Sequence, residues 1–140
     1  MSDEKQQQAL AEITQAVVHL LDSWNLDDRT MCQILAMPEH IKARSFVRFR
    51  EGNDVFPNNP EVLRRSQYLL RIADALRTAY PMNPKMGARW IHQKQARFGG
   101  RTPISMILKD GETGLAAILC EVDCTFAWDS TGSKAVSARK

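Results

Sequence analysis

The fold is decided by residues 59–80, which read NPEVLRRSQYLLRIADALRTAY. Asn59, Pro60 and Glu61 start a helix, because asparagine caps free amides, proline suits the first helical position and an early acid suits the helix dipole. The apolar residues that follow share one helical face, which predicts a long helix with this buried side: Val62, Leu69, Ile72, Ala73, Leu76 and Tyr80. Pro81 and Pro84 then break the pattern, so we expect a boundary between two sub-units there.

Upstream of this helix, the sequence predicts three shorter ones. The first has an apolar stripe that ends at Asn25: Leu10, Ile13, Val17, Leu20, Leu21 and Trp24. The second starts near Asp27 and Asp28 and turns Met31, Ile34 and Leu35 inward. After the interruption at Met37-Pro38, a third helix is expected at about residues 41–50, with these residues on its apolar side: Ala43, Phe46, Val47 and Phe49.

Downstream, three more helices are expected. The first covers about residues 86–94. The second starts at Thr102-Pro103 and ends at Asp110-Gly111, and the third covers about residues 112–123. No segment alternates with period two for long enough to form a strand, so the chain is predicted to be all-α. We expect a helix-turn-helix-like bundle with the long linking helix in residues 1–80, a small helical domain in 81–124 and a flexible tail in 125–140.

Composition excludes several classes of protein. The chain has 140 residues, 44% apolar and 25% charged, and a net charge of +3, which is typical of a globular protein. No stretch approaches the roughly 18 apolar residues of a membrane span, and the polar start lacks the features of a signal peptide. Three cysteines, Cys32, Cys120 and Cys124, cannot make a disulfide framework. We therefore expect a cytoplasmic protein.

Signatures of catalysis and of metal binding are missing from the sequence. It contains no phosphate-binding GxxxxGK[ST], no HExxH and no nucleophile elbow. Gly99-Gly100 follows no predicted strand, so it indicates a turn with positive φ more than a nucleotide site. Cys120 and Cys124 lie four residues apart, but no histidine has zinc-finger spacing from them, which favours buried cysteines. We expect no enzyme activity, no cofactor and no metal.

The second and third helices have the outline of a helix-turn-helix. In that arrangement the third helix presents its polar face to the major groove, where Arg44, Ser45 and Arg48 would lie. Other basic residues could contact phosphates, so the predicted DNA-binding set is Lys42, Arg44, Ser45, Arg48, Arg50, Arg64 and Arg65. The alternative is a solvated basic face whose arginine stems cover apolar neighbours.

The second half of the chain carries a family resemblance. Residues 88–91 (ARWI), 98–104 (FGGRTPI) and 110–115 (DGETGL) resemble the toxin-binding domain of the MbcA/ParS/Xre antitoxin family in order and spacing. Residues 69–76 (LLRIADAL) resemble the linking helix of that family, and residues 48–52 (RFREG) resemble the end of its recognition helix, with Phe49 in place of tryptophan. The resemblance covers most of residues 15–124.

The resemblance implies an all-α protein with an Xre-like helix-turn-helix and a C-terminal toxin-binding domain. Such proteins neutralise a RES-domain toxin that consumes NAD⁺ and repress their own operon as DNA-bound dimers or larger assemblies. One departure is that about four residues more than the standard spacing separate residues 35–37 from Arg48. The additional residues argue against base-specific contacts by Arg44 and Ser45 more strongly than against phosphate contacts.

The candidate toxin-binding residues surround the turn and continue into the tail. They are Arg97, Phe98, Gly99, Gly100, Arg101, Pro103, Phe126 and Trp128. For Trp90, Phe98, Pro103 and Ile104, a place in the small domain's core is the favoured alternative to toxin contact. Phe126 and Trp128 could anchor a tail that orders on a partner, or they could belong to a disordered terminus.

Three functions remain open from the sequence. The first is an antitoxin that binds a RES-domain toxin and operator DNA; the second is a stand-alone DNA-binding regulator; the third is a helical interaction module that does not bind DNA. Charge is unevenly distributed: residues 1–28 hold six acids and one base, and residues 85–109 hold six bases and no acid. Uneven charge of this kind indicates which partners the protein attracts and says nothing about its fold.

Overall fold

The computed structural model describes residues 2–131, with the backbone alone for residue 2 and residues 124–131. Seven α-helices lie within this range: α1 (Ser2–Ser23), α2 (Asp28–Leu35), α3 (Ser45–Glu51), α4 (Pro60–Ala79), α5 (Met86–His92), α6 (Pro103–Asp110) and α7 (Glu112–Thr131). A 3₁₀ turn, Ala96–Phe98, separates α5 from α6. No strand occurs in residues 2–131, so the predicted all-α class is confirmed.

Packing divides the chain into two compact units, Met1–Leu70 and Arg71–Lys140, and the division falls inside α4. The sequence places the boundary later, at Pro81 and Pro84. Those prolines do end the helix, but the last turns of α4 already pack with the second unit because Ile72 and Leu76 are buried there. The assignment of residues 81–124 to a toxin-binding domain stays a prediction.

In the N-terminal unit, α1 contributes much of the core. Leu10, Val17, Leu21 and Trp24 are buried as the stripe predicts, and Asn25 ends the helix with a φ of +61°. The predicted burial is wrong at Ile13 and Leu20, which belong to the stripe but are only half-buried.

A buried hydroxyl ties α1 to the loop that precedes α4. Thr14 Oγ1 donates to Leu10 O at 2.7 Å and accepts from the backbone amide of Phe56 at 2.8 Å. Gln15 Nε2 donates to Phe49 O at 2.6 Å, at the end of α3. The bond from Phe56 gives a buried loop amide its acceptor.

Helix α2 forms where the sequence predicts it. Asp27 has extended backbone angles and accepts a 2.8 Å hydrogen bond from the amide of Thr30. Hydrogen bonding by the Thr30 side chain, and then by this amide, lowers the pKa of the Asp27 carboxyl. Met31, Ile34 and Leu35 are fully buried. The helix ends at Ala36, whose φ is +55°.

Helix α3 starts later than predicted, at Ser45 instead of Ile41. Residues 38–44 form single turns, in which the amide of Ile41 donates to Pro38 O and that of Ser45 donates to Lys42 O. Ile41 and Ala43 are only half-buried, so they supply little of the apolar contact on which a short helix depends.

The core side of α3 is aromatic and narrow. Phe46, Phe49 and Phe56 are buried, and the rings of Phe46 and Phe49 meet edge to face with centroids 5.0 Å apart. The rings of Phe49 and Phe56 meet in the same way at 5.2 Å. Val47 was predicted on this side but is 50% exposed, because a helix of two turns buries only a narrow stripe.

In the C-terminal unit, Thr102-Pro103 starts α6 as predicted. Thr102 Oγ1 accepts a 3.2 Å hydrogen bond from the amide of Ser105, and Pro103 is buried. Helix α7 packs closely on α6 at Gly114, where a Cβ atom would lie 2.4 Å from the carbonyl oxygen of Met106. Gly114 therefore has a packing role that its place in the family motif does not reveal.

Helix α7 continues to Thr131, so its predicted end at Asp123 was too early. The side chains of Phe126 and Trp128 and all of residues 132–140 lie outside what the structure describes. Among residues 2–131, none of the helices has both the length and the apolar character needed to cross a bilayer.

Candidate functional site

The family-like turn of the C-terminal unit is a closed loop. The amide of Gln95 donates to Arg101 O at 3.1 Å, and the amide of Gly100 donates to Gln95 O at 2.9 Å. Gly99 and Gly100 have φ values of +67° and +82°, the conformation that the sequence predicts for them. The loop therefore presents Arg97 and Phe98 from a backbone held by its own hydrogen bonds.

Phe98 packs against the end of α5. Its ring meets that of Trp90 edge to face, with centroids 6.1 Å apart and planes at 78°. Trp90 is buried and Phe98 is half-buried. Trp90 and Pro103 thus have the structural role that the sequence favours, and Phe98 and Ile104 keep part of their surface accessible.

A cleft of about 270 Å³ lies beside this aromatic pair, within the C-terminal unit. Its walls come from the end of α4, from α5, from the loop and from α7. They are lined by Leu76, Ala79, Tyr80, Trp90, Gln95, Ala96, Arg97, Phe98, Glu121 and Val122. Tyr80 was predicted to be buried but is 36% exposed. The cleft is large enough for one inserted side chain and small for a typical organic ligand.

An ion pair crosses the lining of this cleft. Arg97 Nε lies 3.2 Å from Glu121 Oε2, and the two side chains are 72% and 22% exposed. The arginine is therefore available to solvent while its carboxylate partner is largely enclosed. This places a cation and an enclosed anion beside the apolar surface of Phe98.

The other predicted toxin-binding residues are arranged differently. Arg101 Nη1 is 3.0 Å from Asp110 Oδ2, and its Nη2 is buried with no hydrogen-bond partner among the described residues. Gly99 and Gly100 are exposed, whereas Pro103 is buried and supports the start of α6 without presenting a surface. Phe126 and Trp128 have no described side chains.

Sequence reasoning did not assign seven of the lining residues to a site: Leu76, Ala79, Tyr80, Gln95, Ala96, Glu121 and Val122. The periodicity of α4 marks Leu76 and Tyr80 as apolar, but periodicity does not distinguish a core face from the wall of a cleft. Glu121 carries no sequence signal beyond its position on an apolar helix. Its pairing with Arg97 depends on the folded chain.

The predicted DNA-binding residues fall into two groups. Lys42, Arg44 and Arg48 are exposed, with Arg48 Nη2 3.9 Å from Asp54 Oδ2. Arg64 is also exposed, and Ser45 is half-buried at the start of α3. These residues do not form the face of one recognition helix, because Lys42 and Arg44 precede α3.

Arg50 and Arg65 are occupied by contacts within the protein. Arg50 donates through Nε to Asp22 Oδ2 at 2.9 Å and through Nη1 to Asp28 Oδ2 at 3.3 Å. Donation to Asp22, and then to Asp28, raises the pKa of the guanidinium further above its usual range. Arg65 donates to Ile34 O at 3.1 Å and to Glu61 Oε2 at 2.9 Å. Phosphate contact by either arginine would require these bonds to break.

Cys32 is half-buried and Cys120 is exposed, so the expected burial of Cys120 is wrong, and the side chain of Cys124 lies outside the described residues. Burial, with a smaller effect of Asp28, raises the pKa of Cys32, which disfavours the thiolate. No group of three or more metal-ligating side chains occurs in the part of the chain that the structure describes.

Comparison of the chain with protein-family models, curated proteins and solved structures finds no match.

Proposed function

We propose that the protein is an antitoxin that binds and neutralises a RES-type, NAD-degrading toxin through the cleft of its C-terminal unit. The observation that carries the proposal is this cleft, where the half-buried ring of Phe98, the exposed edge of Tyr80 and the Arg97–Glu121 ion pair meet. An aromatic lining with one flanking arginine has the composition of a protein-interface hot spot. Three of its lining residues, Leu76, Trp90 and Phe98, lie in segments on which the antitoxin resemblance rests.

Apolar exposure near the cleft also supports a protein partner. Met82 follows Tyr80 by two residues and is 93% exposed. A toxin surface that inserts one apolar side chain into the cleft would bury part of Tyr80 and Phe98, and removal of that area from water supplies binding energy.

The test is co-expression of the protein with a RES-domain toxin and co-purification of the complex, combined with titration of Tyr80→Ala. We expect this variant to weaken binding about 30-fold, which corresponds to the roughly 2 kcal/mol of a hot-spot residue. Leu108→Ala is the matched control, because Leu108 is 43% exposed and lies on α6, outside the lining. Equal effects of both substitutions, or no complex with the wild-type chain, would refute the proposal.

Repression of its own operon is the second candidate function, since antitoxins of this type bind operator DNA as dimers. It is favoured by the exposed cations Lys42, Arg44 and Arg48 around the start of α3. The longer connection, residues 36–44, instead favours the third candidate, an interaction module that does not bind DNA.

Salt-dependent binding to the protein's own promoter separates these candidates. If Arg48 contacts a phosphate, Arg48→Ala should reduce the slope of log affinity against log salt by about one. Arg77→Ala is the control, because Arg77 is a cation on α4 already paired with Asp74. An unchanged slope and affinity for Arg48→Ala would remove Arg48 from the interface.

A further inference from the structure

Helix α5 has a basic outer face that the toxin-binding proposal does not use. At 100° per residue, Lys85, Arg89 and His92 fall in one stripe, with Lys85 and Arg89 about 40° apart. Trp90 and Ile91 are buried on the opposite side of the helix. The three basic residues are exposed, and Lys94 follows them in the exposed segment after the helix.

The cations of residues 85–109 differ in how they are used. Arg97 and Arg101 pair with Glu121 and Asp110. Lys85, Arg89 and Lys94 form no ion pair with any described residue, and no acid occurs in the segment to neutralise them.

The composition of this face favours a nucleic acid over a protein partner. The cores of protein interfaces are depleted in charge and enriched in aromatic residues, but the aromatic residue of α5, Trp90, is buried inside the unit. Protein–DNA interfaces are far more positively charged. Single-stranded nucleic acid is disfavoured, because binding it relies on aromatic side chains available for stacking, which this stripe does not offer.

We propose that the basic surface at α5, formed by Lys85 and Arg89 on the outer side of the helix and by Lys94 just beyond its end, binds the phosphates of duplex DNA without sequence preference. This contact uses none of the residues that line the toxin-binding cleft.

The test uses the full chain and a labelled random-sequence DNA duplex of about 20 base pairs, titrated between about 50 and 200 mM KCl. The triple variant Lys85→Ala, Arg89→Ala, Lys94→Ala should reduce the magnitude of the slope of log affinity against log salt by about 2.7, about 0.9 for each lost phosphate contact. A second variant, Lys85→Arg with Lys94→Arg, should retain the wild-type slope, because phosphate contact needs the charge more than the ammonium shape.

Two controls keep the outcome interpretable. Arg77→Ala changes the net charge by one at a paired site of the same unit and should leave the slope unaltered. Arg48→Ala, measured in parallel, reports the N-terminal surface separately. The proposal is overturned if the triple variant keeps the wild-type slope, if it loses toxin binding while DNA affinity is unchanged, or if an RNA duplex of the same sequence binds more tightly than the DNA.

Discussion

At the scale of single residues, the clearest determinant is Gly114 on α7. Because Gly114 has no side chain, the α7 backbone can approach α6 closely. The carbonyl oxygen of Met106 lies 2.4 Å from the position that a Cβ atom on Gly114 would take. The obstacle to any larger residue is backbone, which cannot rotate away as a side chain could. The glycine of the family-like motif is thus explained by helix packing.

Gly114→Ala should therefore destabilise the C-terminal unit by about 1–3 kcal/mol, the usual cost of overpacking a well-packed contact. Because glycine is a poor helix former, the same change at an open position would stabilise the helix instead. Thermal or urea unfolding followed by circular dichroism measures the difference.

Thr113→Ala is the matched control, since Thr113 is the exposed neighbour in the same turn, and it should stay within about 0.5 kcal/mol of the wild type. A Gly114→Ala variant as stable as the wild type would show that α6 and α7 are not in this close contact.

At the scale of elements, the position of α3 depends on Arg50. Its guanidinium bonds to Asp22 at the end of α1 and to Asp28 at the start of α2, so one side chain links three helices. The two-pronged bond to Asp22 has the geometry in which charge-assisted bonds are strongest. Arg50 is a positioning residue for the surface that carries Arg44 and Arg48.

Arg50→Ala should lower the free energy of unfolding by about 1–2 kcal/mol, a value between those of exposed ion pairs and enclosed charge-assisted bonds. Arg50→Lys should recover only part of it, because an ammonium group lacks the planar pair of donors that bonds both oxygens of Asp22. Denaturant unfolding at low and high salt measures both, and the deficit of Arg50→Ala should shrink as salt screens the wild-type pairs.

Arg77→Ala removes the ion pair with Asp74, in which both side chains are about 70% exposed. This substitution should have almost no effect on stability. If Arg50→Ala is equally silent, α3 is held by its phenylalanines alone.

At the scale of the whole molecule, the arrangement of charge differs from what the chain order indicates. Both basic segments of the sequence contain arginines that serve the protein's own structure, Arg50 and Arg65 in one and Arg97 and Arg101 in the other. Other cations stay exposed in both units, among them Lys42, Arg44 and Arg48 near α3 and Lys85, Arg89 and Lys94 in or beside α5.

The sequence alone determines the features that arise from neighbouring residues. Asp27, Asn59 and Thr102 cap their helices as predicted, because a cap is a bond between residues three apart in the chain. The all-α class and the positive φ of Gly99 and Gly100 follow from the same kind of local signal.

Tertiary structure decided what depends on residues far apart in the chain. The bond of Arg50 to Asp22 spans 28 residues and that of Arg65 to Ile34 spans 31, so no local pattern separates these arginines from Arg48. The late start of α3, the exposure of Val47 and the opening of the cleft beside Tyr80 likewise depend on which surfaces meet. Periodicity identifies an apolar face, but whether that face is covered, and by what, is set by packing between distant segments.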